Sequence, residues 1–191
     1  WFCVFYCITF GGYAGLSSYL PVFLRDSFAL TPVTAGSITA AGALAGSMSR
    51  PLGGYIADRV GGARVLQWLL AGISMSYAAL ALAPSVNAVA PVIVLGMICF
   101  GLGNGVIFQL VPVRFARDVG SVTGIVGAVG GVGGFLLPTL MGAMKGATGG
   151  YAPAFVALSI CAAVSAALLL TLQGETRADS WGVTTPLAAA E

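Results

Sequence analysis

The stretch Gly46-Ser47-Met48-Ser49-Arg50-Pro51-Leu52-Gly53-Gly54-Tyr55-Ile56-Ala57-Asp58-Arg59-Val60-Gly61-Gly62-Ala63-Arg64 decides how this chain is read. Arg50 is the only formal charge in residues 32–57, a run long enough to cross a bilayer. The next charges, Asp58 and Arg59, lie about 12 Å further along a helix. In a hydrocarbon slab about 30 Å thick, Arg50 therefore falls near the midplane. Insertion scales make an Arg there unfavourable by about 2.5–3.5 kcal/mol. A guanidinium kept at that cost is expected to face a cavity, where its planar fork suits a planar oxyanion.

Composition points the same way. The 191 residues are 58% hydrophobic and only 7% charged, which leaves a soluble domain almost nothing to present to water. The class read from this is an all-α integral membrane protein. The 28 glycines follow no Gly-X-Y period and suit closely packed transmembrane helices. A net charge of +2, scattered along the chain, argues against nucleic-acid binding. Cys3, Cys7, Cys99 and Cys161 all fall in apolar runs and histidine is absent, so no metal site is expected. No nucleophile–base pair can be assembled either, so neither an enzyme nor a cofactor is expected.

Apolar runs occupy residues 1–24, 33–57, 65–83, 88–112, 120–144 and 151–172, each near the length of a spanning helix. They are expected to form one six-helix bundle over residues 1–172. Residues 173–191 turn polar and are expected to be a disordered or peripheral cytoplasmic tail. Arg59, Arg64, Arg114, Arg117 and Arg177 gather on one side of the membrane, and only Arg25 and Lys145 on the other. The positive-inside rule puts both ends of the segment in the cytoplasm of a cell whose cytoplasmic membrane holds it. The chain opens on Trp1 within an apolar run, with neither a charged leader nor a cleavage site, and reads as a piece of a longer parent.

The turn Gly54-Tyr55-Ile56-Ala57-Asp58-Arg59-Val60-Gly61-Gly62-Ala63-Arg64 resembles the G-x-x-x-D-R-x-G-x-x-R loop of the major facilitator superfamily. Gly54 is expected to allow close helix contact, Asp58 to take charge-assisted hydrogen bonds, and Gly61 and Gly62 to turn the chain. Arg59 and Arg64 are expected to anchor the cytoplasmic face. Within the superfamily the chain resembles the carboxy-terminal six helices of the nitrate/nitrite porters. Four stretches carry that resemblance: Tyr6-Cys7-Ile8-Thr9-Phe10-Gly11; Gly46 to Gly54; Gly101-Leu102-Gly103-Asn104-Gly105-Val106-Ile107-Phe108-Gln109; and the glycine-rich run from Gly127 to Pro138. The resemblance implies nitrate and nitrite as transported anions and alternating access between two six-helix halves, the amino-terminal half being absent from this chain. It also makes Arg50 a substrate arginine.

Other residues are read against that frame of a small planar anion. Gly42, Gly46, Arg50 and Gly54 recur every four residues and form one stripe on a helix. Pro51 removes the amide partner of the Ser47 carbonyl, so a kink is expected there. Arg50 could instead snorkel to the headgroups or pair with an acid in the absent half. Tyr6 and Phe10 share a helix face; the resemblance makes them site walls, although aromatics on such a helix also meet lipid or neighbouring helices. Asn104 and Gln109 either hydrogen-bond between helices or line the cavity. Gly127, Gly130, Gly131, Gly134 and Pro138 lie inside a span without the Lys-Ser/Thr of a phosphate loop, so packing beside a moving element is the role expected.

No Asp, Glu or His falls within any of the six runs, which favours nitrate/nitrite exchange over proton symport. Two alternatives stand beside that reading: a facilitator for another small organic anion, and a non-transporting membrane sensor or assembly subunit.

Overall fold

The computed structural model describes residues 1–175. They form six helices: α1 (Phe2–Phe28), α2 (Pro32–Val60), α3 (Gly62–Leu82), α4 (Val86–Arg114), α5 (Val119–Thr148) and α6 (Ala152–Glu175). The predicted tail begins as helix, residues 173–175 continuing α6, and Arg177 with the other residues beyond 175 lies outside the described residues. All helices but α2 are long and apolar enough to cross a membrane. The chain is a multi-pass membrane protein.

The exception is instructive. At 29 residues α2 has ample length, yet Thr34, Ser37, Thr39, Ser47, Ser49, Arg50 and its glycines make it less apolar than a lipid-facing span. Its buried residues, Ala35, Thr39, Gly42, Gly46, Ser49, Gly53 and Ala57, form one stripe, and the helix packs along α4 and against α1. It also continues as a helix through Pro51, so the proline does not break it.

Local signals account for the ends. Thr31 caps α2, its hydroxyl accepting from the Thr34 amide at 3.2 Å, with Pro32 in the first turn. Gly149 closes α5 at φ 78°, and its amide reaches the Lys145 carbonyl at 2.8 Å. Between α2 and α3 the expected seven-residue turn is far tighter. Gly61 alone links them, at φ 98° and ψ 118°, so only Gly61 turns the chain and Gly62 already belongs to α3. The helices take up the rest because their amides then bond internally, which a membrane demands.

Helices pair as α1 with α5, α2 with α4, and α3 with α6, with α1 also meeting α4. Exchanging α1–α3 for α4–α6 maps the first two pairs onto each other and the third onto itself, the pattern expected of two three-helix repeats, while the extensive α3–α4 contact has no comparable α1–α6 counterpart. The α3–α6 pair is joined by reciprocal bonds: Ser74 Oγ donates to the Ser159 carbonyl at 2.9 Å, and Ser159 Oγ donates to the Ser74 carbonyl at 2.8 Å.

Buried apolar side chains form two clusters rather than one. Leu20, Phe23, Leu80, Val89, Met141 and Phe155 mark one end of the bundle. Phe2, Phe5, Ala57, Leu66, Leu110 and Leu169 mark the other. The ends of successive helices alternate between these clusters, so neighbours in sequence run antiparallel. Between them lies a belt of glycines and a few polar side chains, and Arg50 sits in it.

Candidate functional site

The belt is built first from backbone. Along α2 and α4 the absence of Cβ atoms lets the two chains touch. A Cβ on Gly105 would collide with the Arg50 carbonyl, one on Gly101 with the Gly46 carbonyl, and one on Gly53 with the Leu102 carbonyl. Ser49 Oγ, which donates to Gly46 O at 2.8 Å and lies 3.2 Å from Ile98 O, ties the seam. The tight contact falls on Gly53, while Gly54 has its nearest neighbour, Gly105 O, at an easy 3.7 Å from a built Cβ. The Gly42–Gly46–Arg50 stripe thus meets α4, and the Arg50 main chain is fixed between glycines.

From that anchor the Arg50 side chain crosses to α1 instead of running along α2 to its end. Its guanidinium carbon lies 4.8 Å from the Tyr13 ring centroid and 5.7 Å from that of Phe10. Cation–π contact at this range contributes about 0.5–2 kcal/mol, depending on desolvation. Tyr13 is itself held, its hydroxyl donating to the Ala43 carbonyl at 2.7 Å. Phe10 is held by Tyr6, whose ring stacks nearly parallel to it at 5.1 Å, and Tyr6 meets Phe108 edge-on at 4.9 Å. Arg50 is only half-buried, but its Nε is buried and has no hydrogen-bond partner. Among the described residues no acid pairs with it; the ion pair there joins Lys145 to Asp26 at the far end, where Tyr151 also donates to Asp26 Oδ2 at 2.8 Å.

Asn104 is 1% exposed and both its amide atoms lack partners. Gln109 goes elsewhere. Its Nε2 donates to Asp58 Oδ1 at 2.7 Å, so the structure brings it to the loop motif rather than to Arg50. The motif is spread over two helices: Asp58 and Arg59 occupy the end of α2, Gly61 the link, and Arg64 the exposed start of α3. Arg59 covers the Tyr55 ring at 4.3 Å.

The glycine run on α5 divides by face. Gly130 lies under Tyr6 and Phe10, and Gly134 faces Ala14. Pro138 packs against Gly15, a built Cβ there lying 3.1 Å from its Cδ. Gly127 and Gly131 have nothing within 4 Å of a built Cβ.

Three contributors escaped the sequence reading. Tyr13 follows Phe10 by three residues and Phe108 precedes Gln109, so helical spacing could have found the first; nothing local marks the second as a partner of Tyr6. Thr9 stands inside a quoted stretch but drew no role, because a lone threonine in an apolar helix ordinarily bonds its own backbone. Among the described residues, no group of three His, Cys, Asp or Glu side chains converges to hold a metal.

A six-helix membrane bundle with internal repeats and a central arginine among aromatics has the form of half a carrier. Residues 2–186 match the sequence profile of the Major Facilitator Superfamily, and the chain belongs to that superfamily of transporters, not to an enzyme family. Within it the similarity is to nitrate/nitrite porters. The chain is 38% identical over 178 residues to the nitrite extrusion protein of Bacillus subtilis, covering 93% of this chain and 45% of that one. It is 43% identical over 141 residues to a probable nitrate/nitrite transporter of Mycobacterium tuberculosis, covering 72% and 35% respectively. A probable nitrate/nitrite antiporter of Thermus thermophilus is 31% identical over 184 residues, covering 86% and 41%. The chain therefore spans less than half the length of these relatives.

Proposed function

We propose that the parent of this chain carries nitrate and nitrite across the cytoplasmic membrane by alternating access, with both ends of this segment cytoplasmic. Arg50 is the observation that carries the reading. It is a half-buried cation in the belt between two apolar cores, without an acidic partner among the described residues and walled by Phe10 and Tyr13. A planar monoanion satisfies such a group with two coplanar hydrogen bonds to its fork. The names borne by the relatives support the choice of anion. Tyr6 and Phe10 wall the site, Asn104 lines it, and Gln109 braces the loop motif through Asp58.

The remaining wall comes from an amino-terminal half outside this chain, which would supply a second arginine by pseudo-symmetry. Rocking of the two halves exposes the anion to each side in turn. Exchange is favoured over proton symport, since among the described residues Asp26, Asp58 and Glu175 lie in the last turns of their helices, Asp118 lies at the start of α5, and no Asp or Glu occupies the belt.

The test is uptake of labelled nitrate by the full-length parent in proteoliposomes, loaded with nitrite or empty, without a proton gradient. Uptake that depends on internal nitrite supports exchange. Uptake that appears only with an imposed proton gradient refutes exchange, and no uptake under either condition refutes nitrate transport.

A further inference from the structure

Four buried side-chain atoms near the middle of the bundle lack hydrogen-bond partners: Thr9 Oγ1, Arg50 Nε, Asn104 Nδ2 and Asn104 Oδ1. They come from α1, α2 and α4. Thr9 is 0% exposed and Asn104 1% exposed. An unpartnered buried polar group typically costs about 1–3 kcal/mol, so each of these asks for a partner.

Among the described residues, Thr9 carries the one buried hydroxyl oxygen without a hydrogen-bond partner. Ser17, Thr39, Ser76 and Thr139 each donate to the carbonyl four residues back, at 2.7–3.0 Å. Thr9 forgoes that bond. It lies three residues after Tyr6 and four before Tyr13, on the face of α1 that meets Arg50. Its methyl packs on α4 at Gly103, where a built Cβ would fall 2.9 Å away. Asn104 is the next residue. It is also midway between Phe100, which abuts Gly12, and Phe108, which abuts Tyr6, so the amide faces α1 at the level of Thr9.

We propose that Thr9 and Asn104 supply neutral donors to the third oxygen of a trigonal oxyanion whose other two oxygens are held by the Arg50 fork. The inference rests on the nitrate/nitrite reading above and assigns its specificity. Nitrate has three oxygens and uses all the donors. Nitrite has two, both taken by the Arg50 fork and the second arginine expected from the amino-terminal half, and leaves the threonine hydroxyl without an acceptor from the ligand. Thr9 is thus the residue that sets preference for nitrate over nitrite.

The experiment is equilibrium binding of nitrate and of nitrite to the purified full-length parent, unaltered and as Thr9→Val, Thr9→Ser and Asn104→Leu. Valine keeps the shape and the contact with Gly103 while deleting the hydroxyl. Thr9→Val is expected to weaken nitrate about tenfold, the loss of one hydrogen bond to a charged partner, and to leave nitrite within about twofold. Thr9→Ser restores nitrate binding, and Asn104→Leu lowers nitrate more than nitrite. Equal losses for both anions, or unchanged nitrate affinity in Thr9→Val, overturn the inference while leaving the carrier reading intact. An unaltered parent that binds neither anion overturns both.

Discussion

Replacing Gly130 by alanine tests the site through its packing. A Cβ there would lie 2.7 Å from Tyr6 Cε1 and 3.1 Å from Phe10 Cδ1, against about 3.5–4.0 Å for comfortable carbon contact. The Tyr6 ring must therefore retreat by about 1 Å. It has little room, being 4% exposed, stacked on Phe10 and capped by Phe108. Overpacking of this kind costs about 1–3 kcal/mol, and the helical preference of alanine over glycine returns about 1 kcal/mol. Net destabilisation of the parent should thus stay below about 2 kcal/mol. The functional loss should be larger, because moving a site wall by about 1 Å can cost up to a hundredfold in rate. Initial rates of labelled-nitrate uptake in proteoliposomes, beside thermal unfolding in detergent, separate the two effects. Gly131→Ala is the companion, since nothing lies within 4 Å of its built Cβ and uptake should persist. Equal loss of uptake in both variants would show that flexibility of the glycine run, not the wall it supports, is what matters, and the reasoning would fail.

Other expectations follow from the same contacts. Arg50→Lys keeps the charge but loses the coplanar donors, so nitrate uptake should fall at least about tenfold with the fold retained; near-normal uptake would remove Arg50 from the site. Gln109→Ala deletes the 2.7 Å bond to Asp58 and should lower stability by about 1–2 kcal/mol while nitrate affinity stays put; a selective loss of affinity would return Gln109 to the cavity. Gly61→Ala meets no atom within 4 Å, so its whole cost is backbone strain at φ 98°, about 1–2 kcal/mol by thermal unfolding, and an unchanged melting temperature would contradict the conformation assigned to that link.

Much of the architecture is legible in the chain itself. Six runs of about 20–25 apolar residues, broken by charges and turn residues, leave few arrangements available in a bilayer. Arg50 stands out because a charge is so rare there. What escapes is set by partners distant in sequence. Gln109 and Asp58 are 51 residues apart, and nothing beside either one announces the other. Gly53 and Gly54 are indistinguishable as letters, yet only Gly53 lies hard against the Leu102 carbonyl. The link at Gly61 looked like a longer turn because Asp58, Arg59 and Arg64 are polar, whereas helices at a membrane surface extend into polar residues without penalty. Thr9 illustrates the hardest case: its significance is a bond it does not make.

The reciprocal serine bonds between α3 and α6 bear on how the bundle is assembled. Ser74 and Ser159 are 85 residues apart, so at ordinary synthesis rates α3 waits about 4–17 s for its partner to emerge. During that interval the Ser74 hydroxyl can turn back on its own helix, the usual refuge for serine in lipid. Arrival of α6 exchanges that local bond for a crossed pair. The later-made α6 thus latches α3, and a nascent chain released before α6 should hold α3 loosely enough for cross-linking to lipid at Trp68 and Met75, positions already exposed on its outer face.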